Sequence, residues 1–137
     1  MHIELITPDG VGYKGEADAV TLPTTQGEIT VLPHHLPIIS TLGIGMMTVR
    51  SKDGELYFAV SRGVVEIGNE KVRVLSDIAD RVDSLDEAAV EEAKKRAETL
   101  QKEKRGDTEG FAEATAVLDR EIARLQSVRR RKSHRSR

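Results

Sequence analysis

Apolar and polar positions follow two different periods along this chain, and the period changes near Ser84. Before that point, short apolar runs alternate with turn signals. Ile3 and Leu5 flank Glu4 ahead of Thr7-Pro8-Asp9-Gly10, where the proline presets φ and the glycine accepts a positive one. Further runs cover 19–22, 29–32, 44–50, 56–61, 63–67 and 72–75, separated by Gly27, the 33–37 segment, Asp53-Gly54 and Gly68-Asn69. Lys52-Asp53-Gly54-Glu55 and Ile67-Gly68-Asn69-Glu70 carry the residues of tight hairpins. Many short strands with no long helical stretch between them predict an antiparallel β-sandwich or barrel.

After Ser84 the apolar residues recur every three or four positions. Ala89, Ala93, Ala97 and Leu100 form one stripe, and Glu91, Glu92, Lys94, Lys95 and Arg96 occupy the other face, which predicts an amphipathic helix. Ser84 with Glu87 three positions on reads as a capping box, and Gly106 as a left-handed helix end after the basic stretch 102–105. Asp107 can cap a second helix whose stripe is Phe111, Thr115, Leu118, Ile122 and Leu125. Two helices of roughly 20 residues, each ~30 Å long, joined by so short a link, form an antiparallel hairpin. The first helix offers mainly Ala methyls, and at ~0.8 kcal/mol per buried carbon such a seam is weak. The hairpin is therefore expected to leave its resting place and adopt another; the plainer alternative is a permanently docked pair.

Composition sharpens this division into a β-sandwich domain over 1–84 and a helical hairpin over 85–137. Nine of the eleven Gly and all four Pro precede the boundary. Residues 1–84 hold 7 basic and 12 acidic side chains, whereas 85–137 hold 14 basic and 11 acidic. The positive charge concentrates at the end, where residues 129–137 carry 6 basic residues and no acid. A net charge of −2 over 137 residues is inconsistent with a wholly basic, nucleic-acid-coating protein. With no Cys there is no disulfide framework. The chain has no run of 18 uncharged apolar residues and no basic, then apolar, N-terminal segment, so it is expected to remain on the side of the membrane where it is made.

Candidate chemistry is sparse. His34-His35 lie adjacent in a proline-bounded loop and point in different directions; with His2 and His134 as the remaining imidazoles, a set of three or four metal ligands is hard to assemble, and no metal is expected. Ser40, Ser61 and His35 come without a nucleophile elbow, a P-loop or a paired-carboxylate motif, so a noncatalytic chain is expected.

The strand half carries Thr7-Pro8-Asp9-Gly10, Tyr13, Gly15-Glu16-Ala17, Pro23-Thr24, Gly27-Glu28 and Leu32-Pro33-x-His35-x-Pro37. Next come Gly63-x-x-Glu66, Val72-x-Val74-Leu75-x-Asp77-x-Ala79-x-Arg81 and Leu85-Asp86-Glu87-Ala88. In this order, over nearly the whole chain, the sequence resembles the epsilon subunit of F-type ATP synthases. The resemblance implies a flattened ten-stranded antiparallel β-sandwich attached to the gamma subunit and standing on the c-subunit ring, followed by a mobile two-helix hairpin. Folded down, the hairpin would permit rotation. Extended along gamma into the alpha-beta hexamer, it would block ATP hydrolysis. The chain would be a noncatalytic rotor subunit in proton-motive-force-driven ATP synthesis, peripheral on the cytoplasmic face of the bacterial plasma membrane and reaching the membrane only through the complex.

For particular residues, the resemblance implies that Glu28 and His35 face the polar loops of the c ring; otherwise they merely decorate turns. Some members bind ATP on the folded hairpin through a Leu/Ile-Asp-x-x-Arg-Ala motif and further arginines, whose guanidinium groups fork onto phosphates. Here that motif has Ala89 and Val90 in its last two places, and Asp80 stands where those members carry Glu, while Asp86, Arg96, Arg120 and Arg124 match. A weakened ATP site competes with the preferred view of Asp86 as a first-turn acid and the arginines as a solvated face. Arg129, Arg130, Arg131 and Lys132 form a basic end with three readings: a solvated, disordered tail, a nucleic-acid or anionic-lipid patch, or an inhibitory tip that meets acidic surfaces of the hexamer, the last being preferred. The reading from another class is a stand-alone β-sandwich adaptor whose basic arm binds nucleic acid; without aromatics, the arm lacks a base-stacking platform.

Overall fold

Ten strands and two helices follow one another in the order the change of period suggests, in a computed structural model that describes residues 1–135. The strands are β1 (His2–Thr7), β2 (Gly10–Glu16), β3 (Ala19–Thr24), β4 (Gly27–Val31), β5 (Ile38–Leu42), β6 (Gly45–Ser51), β7 (Gly54–Val60), β8 (Gly63–Ile67), β9 (Lys71–Ser76) and β10 (Ala79–Arg81). A 3-10 turn, Val82–Ser84, leads into α1 (Glu87–Glu103) and α2 (Thr108–Arg135).

Three hairpin turns share one construction. In Thr7–Gly10, Thr24–Gly27 and Ser51–Gly54, the backbone N–H two residues after the first donates to that residue's hydroxyl at 3.2 to 3.4 Å, and the closing glycine sits at φ of 118 to 126°. A side chain rarely tolerates that backbone conformation, so these glycines set the hairpin registers.

The hydrogen-bonded path runs β10-β7-β6-β3-β5-β8-β9-β1-β2, with β4 added to β3. β3 and β5 share a single paired position, Thr24 with Leu42, and there the sheet folds over on itself. Val20, Leu22, Met47, Val49, Phe58 and Val60 come from one side of this corner. Ile3, Leu5, Val65, Val72 and Val74 come from the other, and all belong to one buried cluster. The Tyr13 and Phe58 rings meet across the layers with centroids 5.3 Å apart.

The sandwich is as expected, with one departure from antiparallel pairing: β1 and β9 run parallel, from His2 with Lys71 to Ile6 with Leu75. Strands so far apart in sequence are free of the hairpin constraint that imposes antiparallel pairing. β2, β5 and β10 carry no apolar alternation that would have marked them in the sequence; β2 is held by its ladder to β1.

The helix boundaries differ from the sequence expectation. Asp86, not Ser84, caps α1, its Oδ1 accepting from Ala88 N at 3.3 Å, while Ser84 Oγ donates to the Arg81 carbonyl at 2.7 Å within the 3-10 turn. Gly106 keeps a negative φ; α1 ends as Lys104 N–H donates to the Leu100 and Gln101 carbonyls. Asp107 does precede α2, its carbonyl accepting from Phe111 N at 2.8 Å. The helix seam is small-residue, as expected: Val90, Ala97 and Ala114 are buried, and Gln101 Nε2 donates to Thr115 Oγ1 at 3.0 Å. Phe111, expected on the buried stripe, is exposed.

Gly63 offers a direct test of the sheet packing. A Cβ there would stand 1.7 Å from the Leu75 carbonyl oxygen, a backbone atom that cannot swing aside. Gly63→Ala is expected to lower unfolding stability by on the order of 2 kcal/mol, read by urea denaturation, while Gly106→Ala, with open space around it, stays near parental.

Candidate functional site

The second helix lies between α1 and the sandwich, so the hairpin docks through α2 on β6, β7 and the 3-10 turn. Two small apolar patches line this contact. Ala123 packs with Ala59 and Ile78, bordered by Ile44 and Leu85; Val128 packs on Met46, Tyr57 and Val82. Ser127, fully buried, directs its hydroxyl to the carbonyls of Ala123 at 2.7 Å and Gly45 at 3.2 Å.

Charge supplies the rest. Asp77, Asp80 and Asp83 recur every third residue, just ahead of β10, within it and in the 3-10 turn after it. Arg120 forks onto Asp77, with Nε–Oδ2 at 2.6 Å and Nη2–Oδ1 at 3.3 Å. Arg124 donates from Nε to Asp80 Oδ2 at 2.7 Å and from Nη1 to Glu121 at 2.5 Å. Arg131 lies 4.2 Å above the Tyr57 ring, with Asp83 4.0 Å from its Nε. Arg62 of the sandwich pairs with Asp119 of α2. Burial opposes the charge on Arg124, yet the bond to Asp80 and the charges of Asp80 and Glu121 together raise its pKa above the ordinary arginine value.

Over the described residues, α2 continues through the basic end to Arg135. Arg129 reaches Glu87 at 3.2 Å and Glu91 at 3.6 Å, Lys132 reaches Glu87 at 3.4 Å, and Arg130 reaches Glu28 at 2.6 Å. Bonding from Arg129, then the nearby charge and bond of Lys132, pulls the Glu87 carboxyl below its ordinary value against a smaller desolvation cost.

The structure thus joins Asp80 to Arg124 and sets Arg120 on Asp77 beside them, while Asp86 is engaged as the α1 cap and Arg96 stands exposed on α1 near Lys95, Thr99 and Glu103. Glu28 is the second residue of β4, and His35 bonds through Nδ1 to the Leu36 carbonyl at 2.7 Å; no hydrogen bond or ion pair joins the two among the described residues. His34, at φ 68°, pairs with Glu70 at 2.8 Å. No cluster of three or more metal-ligating side chains occurs among the described residues. No described helix is long and apolar enough to cross a membrane.

Sequence reasoning missed an exposed apolar surface beside the His34-His35 loop. Leu36 is 80% and Ile39 75% exposed, and Leu32, Ile38, Val64 and Leu75 are also open. The charged row Glu66, Arg73, Glu4, Lys71 crosses the adjoining strands, with Arg73–Glu4 at 3.4 Å and Lys71–Glu4 at 3.2 Å. Exposed bulky aliphatic side chains concentrated on a small domain are a feature of interaction surfaces. Its signal in the sequence was the run of bulky aliphatic residues on either side of Pro37.

Two family models match in tandem: the beta-sandwich domain of the ATP synthase delta/epsilon chain over residues 1–82, and its long alpha-helix domain over residues 83–128. An ATP synthase epsilon chain of Neisseria meningitidis serogroup A is 39% identical over 136 residues, 98% of this chain and 96% of that one. One from Alkalilimnicola ehrlichii is 36% identical over 95% of this chain and 93% of its own length. Among solved structures, a chain of the Euglena gracilis mitochondrial ATP synthase OSCP/F1/c-ring assembly superposes with a TM-score of 0.67 at 21% identity, covering 85% of this chain and 74% of that one. A chain of the Tetrahymena thermophila mitochondrial ATP synthase central stalk/c-ring gives 0.51 at 16%, covering 61% and 68%; both share the fold.

The Glu87 clasp predicts a pH dependence. Because its folded pKa lies below the reference of 4.5, its contribution to holding α1 on α2 is complete above that value and is lost as pH falls through the lower folded pKa. Side-chain carboxyl NMR titration should show the Glu87 midpoint rising toward 4.5 in Arg129→Gln.

Proposed function

The chain belongs to the ATP synthase delta/epsilon family, and from that premise we propose that it is a noncatalytic rotor subunit that joins gamma to the c ring and restrains ATP hydrolysis through its hairpin. The observation that carries this reading is the docking of α2: small apolar patches are bordered by partly exposed ion pairs, so the contact is specific in register yet modest in strength. A partly exposed arginine–carboxylate pair contributes about 0.2–1 kcal/mol. The sandwich has its own core, made entirely of strand and turn residues before residue 80. A rigid pedestal therefore carries a separable arm.

Gamma takes the exposed Leu36/Ile39 face, where bulky aliphatic residues beside a charged row suit a permanent protein contact. Glu28 and His35 meet the polar loops of the c ring. The released α2 carries its arginines to the acidic surfaces of the alpha-beta hexamer. The chain acts peripherally, on the cytoplasmic face of the bacterial membrane, and reaches the bilayer only through the complex.

Deleting residues 85–137 in the reconstituted complex is expected to leave gamma binding and proton-driven ATP synthesis in place and to raise ATP hydrolysis. Ile39→Asp in the same complex should weaken gamma binding. Hydrolysis unchanged by the deletion would sink the regulatory role, and unchanged gamma binding by Ile39→Asp would sink the assignment of that face.

For nucleotide, Asp77 and Asp80 occupy the anion positions at Arg120 and Arg124, so ATP must displace two intramolecular carboxylates, and Ala89 removes a further guanidinium. The folded hairpin is thereby closed without nucleotide. Titration calorimetry with Mg-ATP is expected to give no saturable heat at submillimolar ligand; tight binding lost in Arg124→Gln would establish an ATP site instead.

A further inference from the structure

Glu28 and Arg130 are 102 positions apart in sequence, yet their side chains meet at 2.6 Å. Glu28 stands just past the tight Thr24–Gly27 turn, paired across the hairpin with Pro23, on a strand that bonds to β3 alone. The turn is stiffened by Thr24 Oγ1, which donates to the Gly27 carbonyl at 2.5 Å and accepts from Gln26 N at 3.2 Å. The Arg130 pair joins this hairpin to α2. Successive residues on a helix point about 100° apart, and the three adjacent arginines use that divergence. Arg129 goes to Glu87 and Glu91 of α1, Arg130 to the β3–β4 tip, and Arg131 to the Tyr57 ring and Asp83. One turn of α2 thereby clasps α1, the β3–β4 tip, β7 and the 3-10 turn.

We infer that the Glu28 carboxylate is shared between two uses: it is held by Arg130 while the hairpin is docked, and it becomes available to an outside cationic or hydrogen-bond-donating loop when the hairpin leaves. Oε2 is the Glu28 oxygen that Arg130 holds, on a tip whose backbone is fixed by Thr24, so capture of the carboxylate by an outside donor competes directly with Arg130. Linkage makes the effect reciprocal: a partner that binds Glu28 loosens the hairpin by the same factor by which docking weakens the partner. The identity of that outside loop as the c ring rests on the proposed function; the coupling within the chain does not.

The chain has no cysteine, so spin labels placed by Lys52→Cys and Arg105→Cys, both exposed and away from the clasp, report the distance between sandwich and hairpin tip. The measurement is made on the full chain, with Arg120→Gln as a background that populates the open state. Glu28→Gln and Arg130→Gln are each expected to raise the open-to-closed ratio about two- to fivefold. The double variant should go no further than either single, and the exchange Glu28→Arg with Arg130→Glu should return the ratio toward the parent. Additive or absent effects overturn the inference. In the assembled enzyme, Gln26→Cys at the same tip is cross-linked to a cysteine in the c-subunit polar loop, and Arg130→Gln should raise the yield. Equal yields with and without Arg130 overturn the competition. No cross-link in either, with the coupling in the isolated chain intact, overturns the c-ring assignment of Glu28 and leaves the clasp standing.

Discussion

The arrangement of the whole molecule depends on how α2 is held: a row of carboxylates at Asp77, Asp80 and Asp83 faces Arg120, Arg124 and Arg131. Beneath the charges lie two small apolar clusters, Ala123 on Ala59 and Ile78, and Val128 on Met46, Tyr57 and Val82, with the Ser127 hydroxyl bonded to the Gly45 carbonyl. Hydrophobic burial scales with area, so this interface takes its register from ion-pair geometry and only part of its strength from desolvation. Such a contact is specific, screened by salt and separable without exposing a large apolar face.

The sandwich is held by the opposite means. Ile3, Leu5, Val20, Leu22, Val65 and Val74 are sealed from solvent in one cluster, and the β8–β9 ladder is so close at Gly63 that no side chain fits. Separating its layers would expose the core of the domain. The contrast between a dense apolar pedestal and a charge-registered arm gives the molecule one part that transmits force and another that changes position. The basic end of α2 belongs to this scheme in both proposed states, since the guanidinium groups that clasp Glu28, Glu87 and Tyr57 in the docked hairpin are those an acidic partner would capture.

Where sequence and structure part company, local pattern met a competing interaction. Ser84 and Glu87 satisfy the spacing of a capping box, but the 3-10 turn at Val82–Ser84 engages the serine with Arg81, and Asp86 takes the cap. Phe111 has helical spacing with Leu118 and Leu125, yet it lies beyond the end of the sandwich contact and stays exposed. β2 escapes recognition because it buries almost nothing and is defined by pairing with β1. The aliphatic residues around Pro37 pass for a broken loop in sequence; in the fold Leu36 and Ile39 are largely exposed, although β5 is paired with β8.

The sequence by itself determined the two architectures and their order, because a period of two and a period of 3.6 are local properties that each segment carries alone. Together with the ordered motifs from Thr7-Pro8-Asp9-Gly10 to Leu85-Asp86-Glu87-Ala88, it also determined the family. Only the tertiary structure decided which strand runs parallel to β1, which carboxylate each arginine meets, and that Glu28 and Arg130 are neighbours. Those pairings join residues tens of positions apart. A guanidinium has the same local signature whether it ends in water or on an aspartate, so its partner is fixed by how the elements pack and not by the residues beside it in the chain.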